Sequence, residues 1–110
     1  MITIPGNGRV FLFSFPVDMR KSFEGLSSQV ECAFNEKITS GAFFVFLNRV
    51  RDRMKVIYWD GDGLAIWYKR LEKGSFRMAP SGNPNLSRRE FLMLLEGITP
   101  KRINPRYSLS

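Results

Sequence analysis

The sequence offers few of the side chains that enzymes use for catalysis. It contains no histidine and a single cysteine, Cys32. Histidine is the usual group for proton transfer near neutral pH and the commonest imidazole metal ligand, and a structural zinc site needs several thiolates. The neighbours of Cys32 are largely apolar, which predicts a buried small residue rather than a reactive thiol. We therefore expect no catalytic site, no metal ion and no cofactor.

Four carboxylates form the one set that could still support phosphodiester chemistry, if they converged around two metal ions. They are Asp52, Asp60, Asp62 and Glu72. Each lies in a stretch that is typical of turns, where solvated carboxylates are common. A small metal-dependent nuclease is thus a rival hypothesis. It requires at least three carboxylates in one pocket, whereas we expect the acids to be scattered.

The strongest signal is an excess of positive charge. The formal net charge is +7 at pH 7. Basic and acidic residues cancel over residues 1–48, so the excess lies in the remainder of the chain. Such a surface attracts polyanions, and nucleic acid is the first partner to consider. If residues 49–55 are extended, their cations project from one face and can follow a phosphate backbone. The cations selected are Arg49, Arg51, Arg53 and Lys55, together with Lys69 and Arg70 on the next strand.

Aromatic residues are interleaved with these cations, at Trp59, Trp67 and Tyr68. Basic groups beside aromatic rings suit single-stranded or distorted nucleic acid, in which bases can stack. Large rings also dominate the burial of apolar surface in cores. We assign the rings to the core and the cations to function.

Hydrophobic spacing and turn residues predict the elements that position these side chains. Apolar runs predict strands over residues 9–14, 42–47, 54–59, 64–71 and 75–78, with a tight turn over 60–63. An apolar stripe predicts a helix from a cap at Asp18 to about Phe34. A capping box at Ser87 and Glu90 predicts a second helix that ends at Gly97. Residues 99–110 hold prolines and basic residues without acids, which predicts an extended basic tail.

These elements predict a single α+β domain over residues 1–110, with an ordered core over about 9–98. The small, mainly antiparallel sheet of four or five strands should carry the first helix on one face. The second helix should close an edge or an end of the sheet. No apolar stretch approaches the length that spans a bilayer, and no signal-peptide pattern is present. We therefore expect a cytoplasmic protein without a membrane partner.

Motifs spread along the chain resemble those of a known family. They are DMRKSFEGL at residues 18–26, SG at 40–41, FVF at 44–46, DR at 52–53 with Lys55, WDGDG at 59–63, YKRLEKG at 68–74 and LLEGI at 94–98. In this order they resemble the TnpB-type accessory proteins encoded by the second open reading frame of insertion-sequence family sixty-six. The cations that match the family's pattern are Arg20, Lys21, Arg53, Lys55, Lys69 and Arg70. The positions that depart from it are Ser22, Val50, Ser75 and Met78.

The resemblance implies a protein that works beside a second small accessory protein and a separate transposase, which carries the catalysis. Together with the charge, it predicts a non-catalytic accessory protein of bacterial insertion-sequence transposition that binds nucleic acid, DNA in particular, through a basic surface. That surface comprises Arg20, Lys21, Arg49, Arg51, Arg53, Lys55, Lys69 and Arg70. The alternative is a protein-interaction subunit that docks on the transposase without touching nucleic acid. Its docking residues would be Trp59, Asp60, Gly61 and Gly63, together with the segment 18–26.

Overall fold

The computed structural model describes residues 4–5, 8–77 and 84–95 of the chain. Its elements follow in the order β1 (Val10–Leu12), α1 (Phe23–Phe34), β2 (Phe43–Leu47), β3 (Arg53–Trp59), β4 (Leu64–Arg70), β5 (Asn85–Leu86) and α2 (Arg88–Leu95). A short 3₁₀ turn over Ile38–Ser40 precedes β2. Among the described residues, no helix is long and apolar enough to cross a membrane.

The five strands form one sheet in the order β4-β3-β2-β1-β5. β1 and β2 are parallel, and the other neighbouring strands are antiparallel. The tight turn between β3 and β4 follows the sequence prediction. The α+β fold class, with a mainly antiparallel sheet and two helices, is confirmed.

β2 is the centre of the sheet, and all of its residues are buried. Its side chains alternate between the two faces, so each face needs its own apolar layer. Phe44 and Phe46 pack in one cluster with Leu26 of α1, whereas Val45 packs in the other with Phe91 of α2. The sequence predicts that the second helix closes an edge or an end of the sheet, and α2 directly follows the edge strand β5 while its apolar side chains pack in the cluster on the second face.

α1 begins later than a cap at Asp18 predicts. The Asp18 carboxylate accepts the backbone N–H of Arg20 at 2.8 Å and so closes a turn ahead of the helix. The helix then begins at Phe23, with Leu26 and Val30 as its buried residues.

The expectation of a buried Cys32 is also wrong, because Cys32 is exposed. It follows the buried Val30 by two positions, and with 3.6 residues per turn this spacing carries a side chain to the opposite side of the helix. The apolar residues beside it in sequence therefore do not surround it in space.

The strand expected over residues 75–78 is not formed by its described part, residues 75–77. Phe76 is fully buried, and its backbone N–H donates to the carbonyl of Arg51 at 2.6 Å. This segment is therefore bound to the turn after β2 instead of to a strand. The fifth strand is β5, which pairs with β1.

The capping box of α2 is present as predicted. The Ser87 N–H donates to the Glu90 carboxylate at 2.9 Å, and the Glu90 N–H donates to the Ser87 hydroxyl at 3.0 Å. These two bonds satisfy N–H groups that a helix start otherwise leaves free. Met78, the helix end expected at Gly97 and the tail expected over 99–110 lie outside the described residues.

Candidate nucleic-acid interface

Many of the basic residues lie at one end of the sheet, which we call the basic end. Here β2 ends, β3 begins and β4 ends, so the turn over residues 48–52 lies beside the chain that leaves β4. The segment after β1 joins them, because the Val17 N–H donates to the Leu47 carbonyl at 3.0 Å. The basic residues of this end are Arg20, Lys21, Arg49, Arg51, Arg53, Arg70, Lys73 and Arg77, and its acids are Asp18, Asp52 and Glu72. The basic end therefore has a net positive charge.

Asn48 organises the turn that carries Arg49 and Arg51. Its side-chain amide donates to the Asp52 carboxylate at 2.7 Å, and its side-chain oxygen accepts the backbone N–H of Arg53 at 3.0 Å. A turn therefore replaces the extended row of cations that alternation predicts over residues 49–55. Arg53 and Lys55 are the cations of that row that lie on a strand.

Arg51 occupies a backbone conformation that most residues avoid. Its φ is 60°, in the left-handed region. That region costs an L-residue other than glycine about 1–2 kcal/mol. The hydrogen bonds of Asn48 stabilise the turn in spite of this cost. The Arg51 side chain is exposed. A cation at a position suited to glycine is consistent with a functional requirement for its charge.

A cleft of about 500 Å³ opens at the basic end between the segment before α1, the turn after β2 and β4. Among its lining residues, Val50 is 66% exposed and Tyr68 is 49% exposed. Three guanidinium groups and an accessible aromatic ring thus share one concave surface. The full lining comprises Val17, Asp18, Met19, Arg20, Asn48, Arg49, Val50, Arg53 and Tyr68.

The Arg20 guanidinium at this cleft is bound by Asp18. Arg20 Nε lies 3.0 and 3.1 Å from the two carboxylate oxygens, and Nη2 lies 2.6 Å from Oδ2. These hydrogen bonds, and the backbone N–H of Arg20, lower the pKa of Asp18 to about 2. Since this pair is neutral overall, Arg49 and Arg53 supply the uncompensated charge of the cleft. Neither has an ion pair within the described part of the chain.

Lys55 is held by protein atoms and is 8% exposed. Its ammonium donates to the backbone carbonyls of Met19 at 2.7 Å and Lys21 at 2.8 Å. It also lies 4.9 Å from the centroid of the Tyr68 ring. Lys55 therefore fastens the segment before α1 to the sheet.

Lys69 and Arg70 are neighbours in β4, so their side chains point to opposite faces of the sheet. Lys69 lies on the α2 face, where its ammonium donates to the Leu95 carbonyl at 3.0 Å. Arg70 pairs with Arg53 across the strands and lies on the α1 face. The sequence predicts one contiguous cationic surface of Arg49, Arg51, Arg53, Lys55, Lys69 and Arg70. The structure places Lys55 in the interior and Lys69 on the opposite face, so these two lysines do not share a surface with the arginines.

The predicted docking residues lie at the other end of the sheet, in the turn between β3 and β4. The Asp60 N–H donates to the Gly63 carbonyl at 2.7 Å, and Gly61 has a φ of 84°, which glycine adopts without a side-chain clash. Trp59 ends β3 beside them. β3 separates this turn from the basic end by about 20 Å, at ~3.3 Å per residue.

The carboxylates proposed for a nuclease are divided between the two ends, with Asp52 at the basic end and Asp60 and Asp62 at the distant turn. Among the residues that the structure describes, no three histidine, cysteine, aspartate or glutamate side chains lie close enough to hold a metal ion. The convergence that a two-metal nuclease requires is therefore not found in this part of the chain.

Comparison with known proteins identifies the family to which these motifs belong. The profile of the family described as "IS66 Orf2 like protein" matches residues 8–105. The chain belongs to this family. The uncharacterized protein y4jC of Sinorhizobium fredii (strain NBRC 101917 / NGR234) is 35% identical over 102 residues, which cover 90% of this chain and 87% of the relative. A second uncharacterized protein of that strain, y4hO, is 34% identical over 94 residues, with 84% and 82% coverage. No solved structure matches the chain significantly.

Membership confirms the family that the motifs predict and gives the chain an accessory role in insertion-sequence transposition. The IS66 Orf2-like family is not a known class of enzyme. The motif residues Asp18, Arg53 and Tyr68 meet at one cleft, although they are far apart in the chain.

Sequence reasoning misses Tyr68 and Asn48 as residues of this site. It assigns Tyr68 to the core together with Trp67, but neighbouring residues of a strand point to opposite faces. Trp67 packs against the core cluster on the α2 face, and Tyr68 is accessible on the other. The alternation of β4 is the signal that could have separated them. For Asn48, the signal is a pair of turn-forming residues, Asn48 and Asp52, around the cations.

Proposed function

We propose that this chain is a non-catalytic accessory protein of transposition that binds nucleic acid, DNA in particular, through its basic end. It would act beside a separate transposase and a second small accessory protein. The observation that carries this proposal is the position of Arg49, Arg51, Arg53 and Arg70 at one end of the sheet, where Arg49 and Arg53 line a cleft and have no ion pair among the described residues. Arginine suits this role because its planar guanidinium can donate two parallel hydrogen bonds to a phosphate.

Phosphate contacts would give the protein affinity and orientation without base sequence preference. Each contact displaces condensed counterions from the nucleic acid, so affinity should fall steeply as salt rises. On duplex DNA, each lost contact lowers the slope of log affinity against log salt by about 0.9. The slope therefore measures the number of phosphate contacts. It distinguishes a variant that has lost a contact from one that binds weakly because less of it is folded.

The test compares two double variants that lose the same charge. Arg49→Ala with Arg53→Ala removes the cations of the cleft. Arg88→Ala with Arg89→Ala removes two exposed arginines at the start of α2, near the opposite end of the sheet. Fluorescence anisotropy with random-sequence duplex and single-stranded oligonucleotides would be measured at several salt concentrations.

We expect the first variant to reduce the slope on duplex DNA by about two, and the second to leave it nearly unchanged. Lys55 and Lys69 are unsuitable for this test, since removing either also breaks hydrogen bonds within the fold. If native protein fails to bind at low salt, or if both variants lose the same slope, the basic end is not the nucleic-acid site.

A docking role on the transposase is the second candidate function. Its support is the exposure of apolar side chains at the basic end, where Phe15 is 70% exposed and Val50 is 66% exposed. The turn over residues 59–63 is the other candidate docking surface. A pull-down from cells that carry the whole element, with and without nuclease treatment, separates the two functions. Association that survives the nuclease favours docking, and association that disappears favours nucleic acid.

A further inference from the structure

Tyr68 presents an aromatic ring to solvent at the cleft of the basic end. It lies in β4 directly opposite Lys55 of β3, and its ring is packed against the Lys55 ammonium, 4.9 Å from the ring centroid. The residue is still 49% exposed. It belongs to neither of the two core clusters. The ring therefore contributes little to the core and leaves much of its surface open to the cleft.

The Lys55 ammonium and the strand that carries Tyr68 fix the position of the ring. Lys55 is anchored by two carbonyl groups and so provides a rigid cation against the ring. Tyr68 itself lies within a paired strand, next to the Arg53–Arg70 pair. A ligand that stacks on this ring would therefore bind with little loss of side-chain conformational entropy.

Charge and shape at the cleft indicate the kind of ligand. Arg49 and Arg53 line the same cavity as Tyr68 and have no ion pair within the described residues. Its volume of about 500 Å³ lies in the range of small-ligand sites, about 300–1,000 Å³. A flat aromatic ring flanked by guanidinium groups matches a nucleotide, whose base can stack while its phosphates bind the cations.

We infer that the cleft takes an unpaired base of a nucleic-acid strand, stacked on Tyr68, while Arg49 and Arg53 bind the neighbouring phosphates. This inference rests on the proposed function and narrows it to single-stranded or locally unpaired nucleic acid. Bases in a duplex already stack on each other and do not reach the ring without unpairing. The contact is made to the face of the base, so it should tolerate any base.

The experiment compares oligothymidylate with an oligomer of equal length and charge that carries abasic residues in place of the bases. Both bind phosphate-contacting arginines, but the abasic oligomer cannot stack. Native protein is measured beside Tyr68→Leu, which removes the ring and keeps an apolar side chain over Lys55, and Tyr68→Phe, which retains the ring. Binding of the abasic oligomer shows that each variant is folded and keeps its phosphate contacts.

Native protein and Tyr68→Phe should bind the thymidylate about 5- to 150-fold more tightly than the abasic oligomer, as expected for one stacked base. Tyr68→Leu should bind the two alike, with unchanged affinity for the abasic oligomer. If native protein binds both oligomers equally, or if Tyr68→Leu keeps the native preference, the stacking inference is overturned while the phosphate-binding function stands. If native protein binds neither oligomer at low salt, the proposed function fails with it.

Discussion

Arg53 and Arg70 lie directly opposite each other across β3 and β4, so two guanidinium groups project from the same face of the sheet. Like charges at directly opposite positions of an antiparallel pair destabilise a sheet. Glu72 offers Arg70 a partial counter-charge at 3.9 Å, and both side chains of that pair are largely exposed. The repulsion between the two guanidinium groups is therefore relieved only in part.

Replacing Arg70 by threonine should stabilise the fold, because it removes the repulsion and places a strand-forming residue in β4. We expect the free energy of unfolding to rise by about 0.2–1 kcal/mol. The urea midpoint measures this change. Threonine in place of Lys73, which is exposed and outside the strands, provides the control and should change stability by less than about 0.5 kcal/mol. A destabilised Arg70→Thr variant would show that the pair does not strain the sheet.

Lys55→Met should destabilise the protein strongly, although it replaces a charged side chain by an apolar one of similar length. The substitution leaves the part-buried carbonyls of Met19 and Lys21 without the hydrogen bonds that the Lys55 ammonium donates. Hydrogen bonds to charged groups contribute about 1.5–3 kcal/mol each, so a loss of about 2 kcal/mol or more is expected. Lys73→Met is the matched control and should be nearly neutral. Equal urea midpoints for the two variants would contradict the structural role of Lys55.

The Asp18–Arg20 pair predicts a pH dependence of stability at acid pH. Hydrogen bonds from Arg20 lower the pKa of Asp18 from its ordinary value of 3.8 to about 2 in the folded protein. A carboxyl whose folded pKa is depressed stabilises the fold above its unfolded pKa and loses this contribution as pH falls through the folded value. The contribution of Asp18 should therefore be present at pH 5 and disappear progressively between about pH 4 and pH 2.

Asp18→Asn isolates this effect, because asparagine can still accept the backbone N–H of Arg20. Thermal unfolding at pH 5 and at pH 2 should show a smaller acid-induced loss of stability for the variant than for the native protein. Identical losses would mean that the Asp18–Arg20 pair is not formed in solution.

The central strands and their turns are predictable because local signals fix them. The apolar run of β2 and the Asp60–Gly63 turn specify the hairpins, and reciprocal Ser87 and Glu90 side chains specify the start of α2. These features depend on residues close in sequence. Local chemistry is therefore enough to define them.

Which cations are exposed and which are held within the fold is not predictable in the same way. Arg53 and Lys55 lie two positions apart on one face of β3, yet Lys55 is covered because Met19 and Lys21 fold over it from more than thirty positions away. That contact depends on the path of the chain before α1, which strand alternation does not specify. The opposite orientation of Lys69 and Arg70, in contrast, follows from alternation alone.

Arg51→Gly should separate stability from binding at the basic end. Arg51 has a φ of 60°, a conformation that glycine adopts without strain. Relief of about 1–2 kcal/mol of strain opposes the greater entropy of glycine in the unfolded chain, about 0.4–1 kcal/mol. The free energy of unfolding should therefore stay constant or rise by up to about 1.6 kcal/mol. The variant also lacks one cation of the proposed interface, so the salt slope on duplex DNA should fall by about one.

Arg49→Gly is the matched control. It removes the same charge from the same turn, but the φ of Arg49 is not positive. It should lower the salt slope equally but reduce the free energy of unfolding by about 0.5–1 kcal/mol, through chain entropy alone. Urea unfolding and anisotropy titrations on the same protein samples provide both quantities. If the two variants are equally destabilised, the left-handed conformation of Arg51 carries no strain. If Arg51→Gly is stable but its salt slope is unchanged, Arg51 does not contact phosphate, and the interface is reduced to the cations beside the Tyr68 cleft.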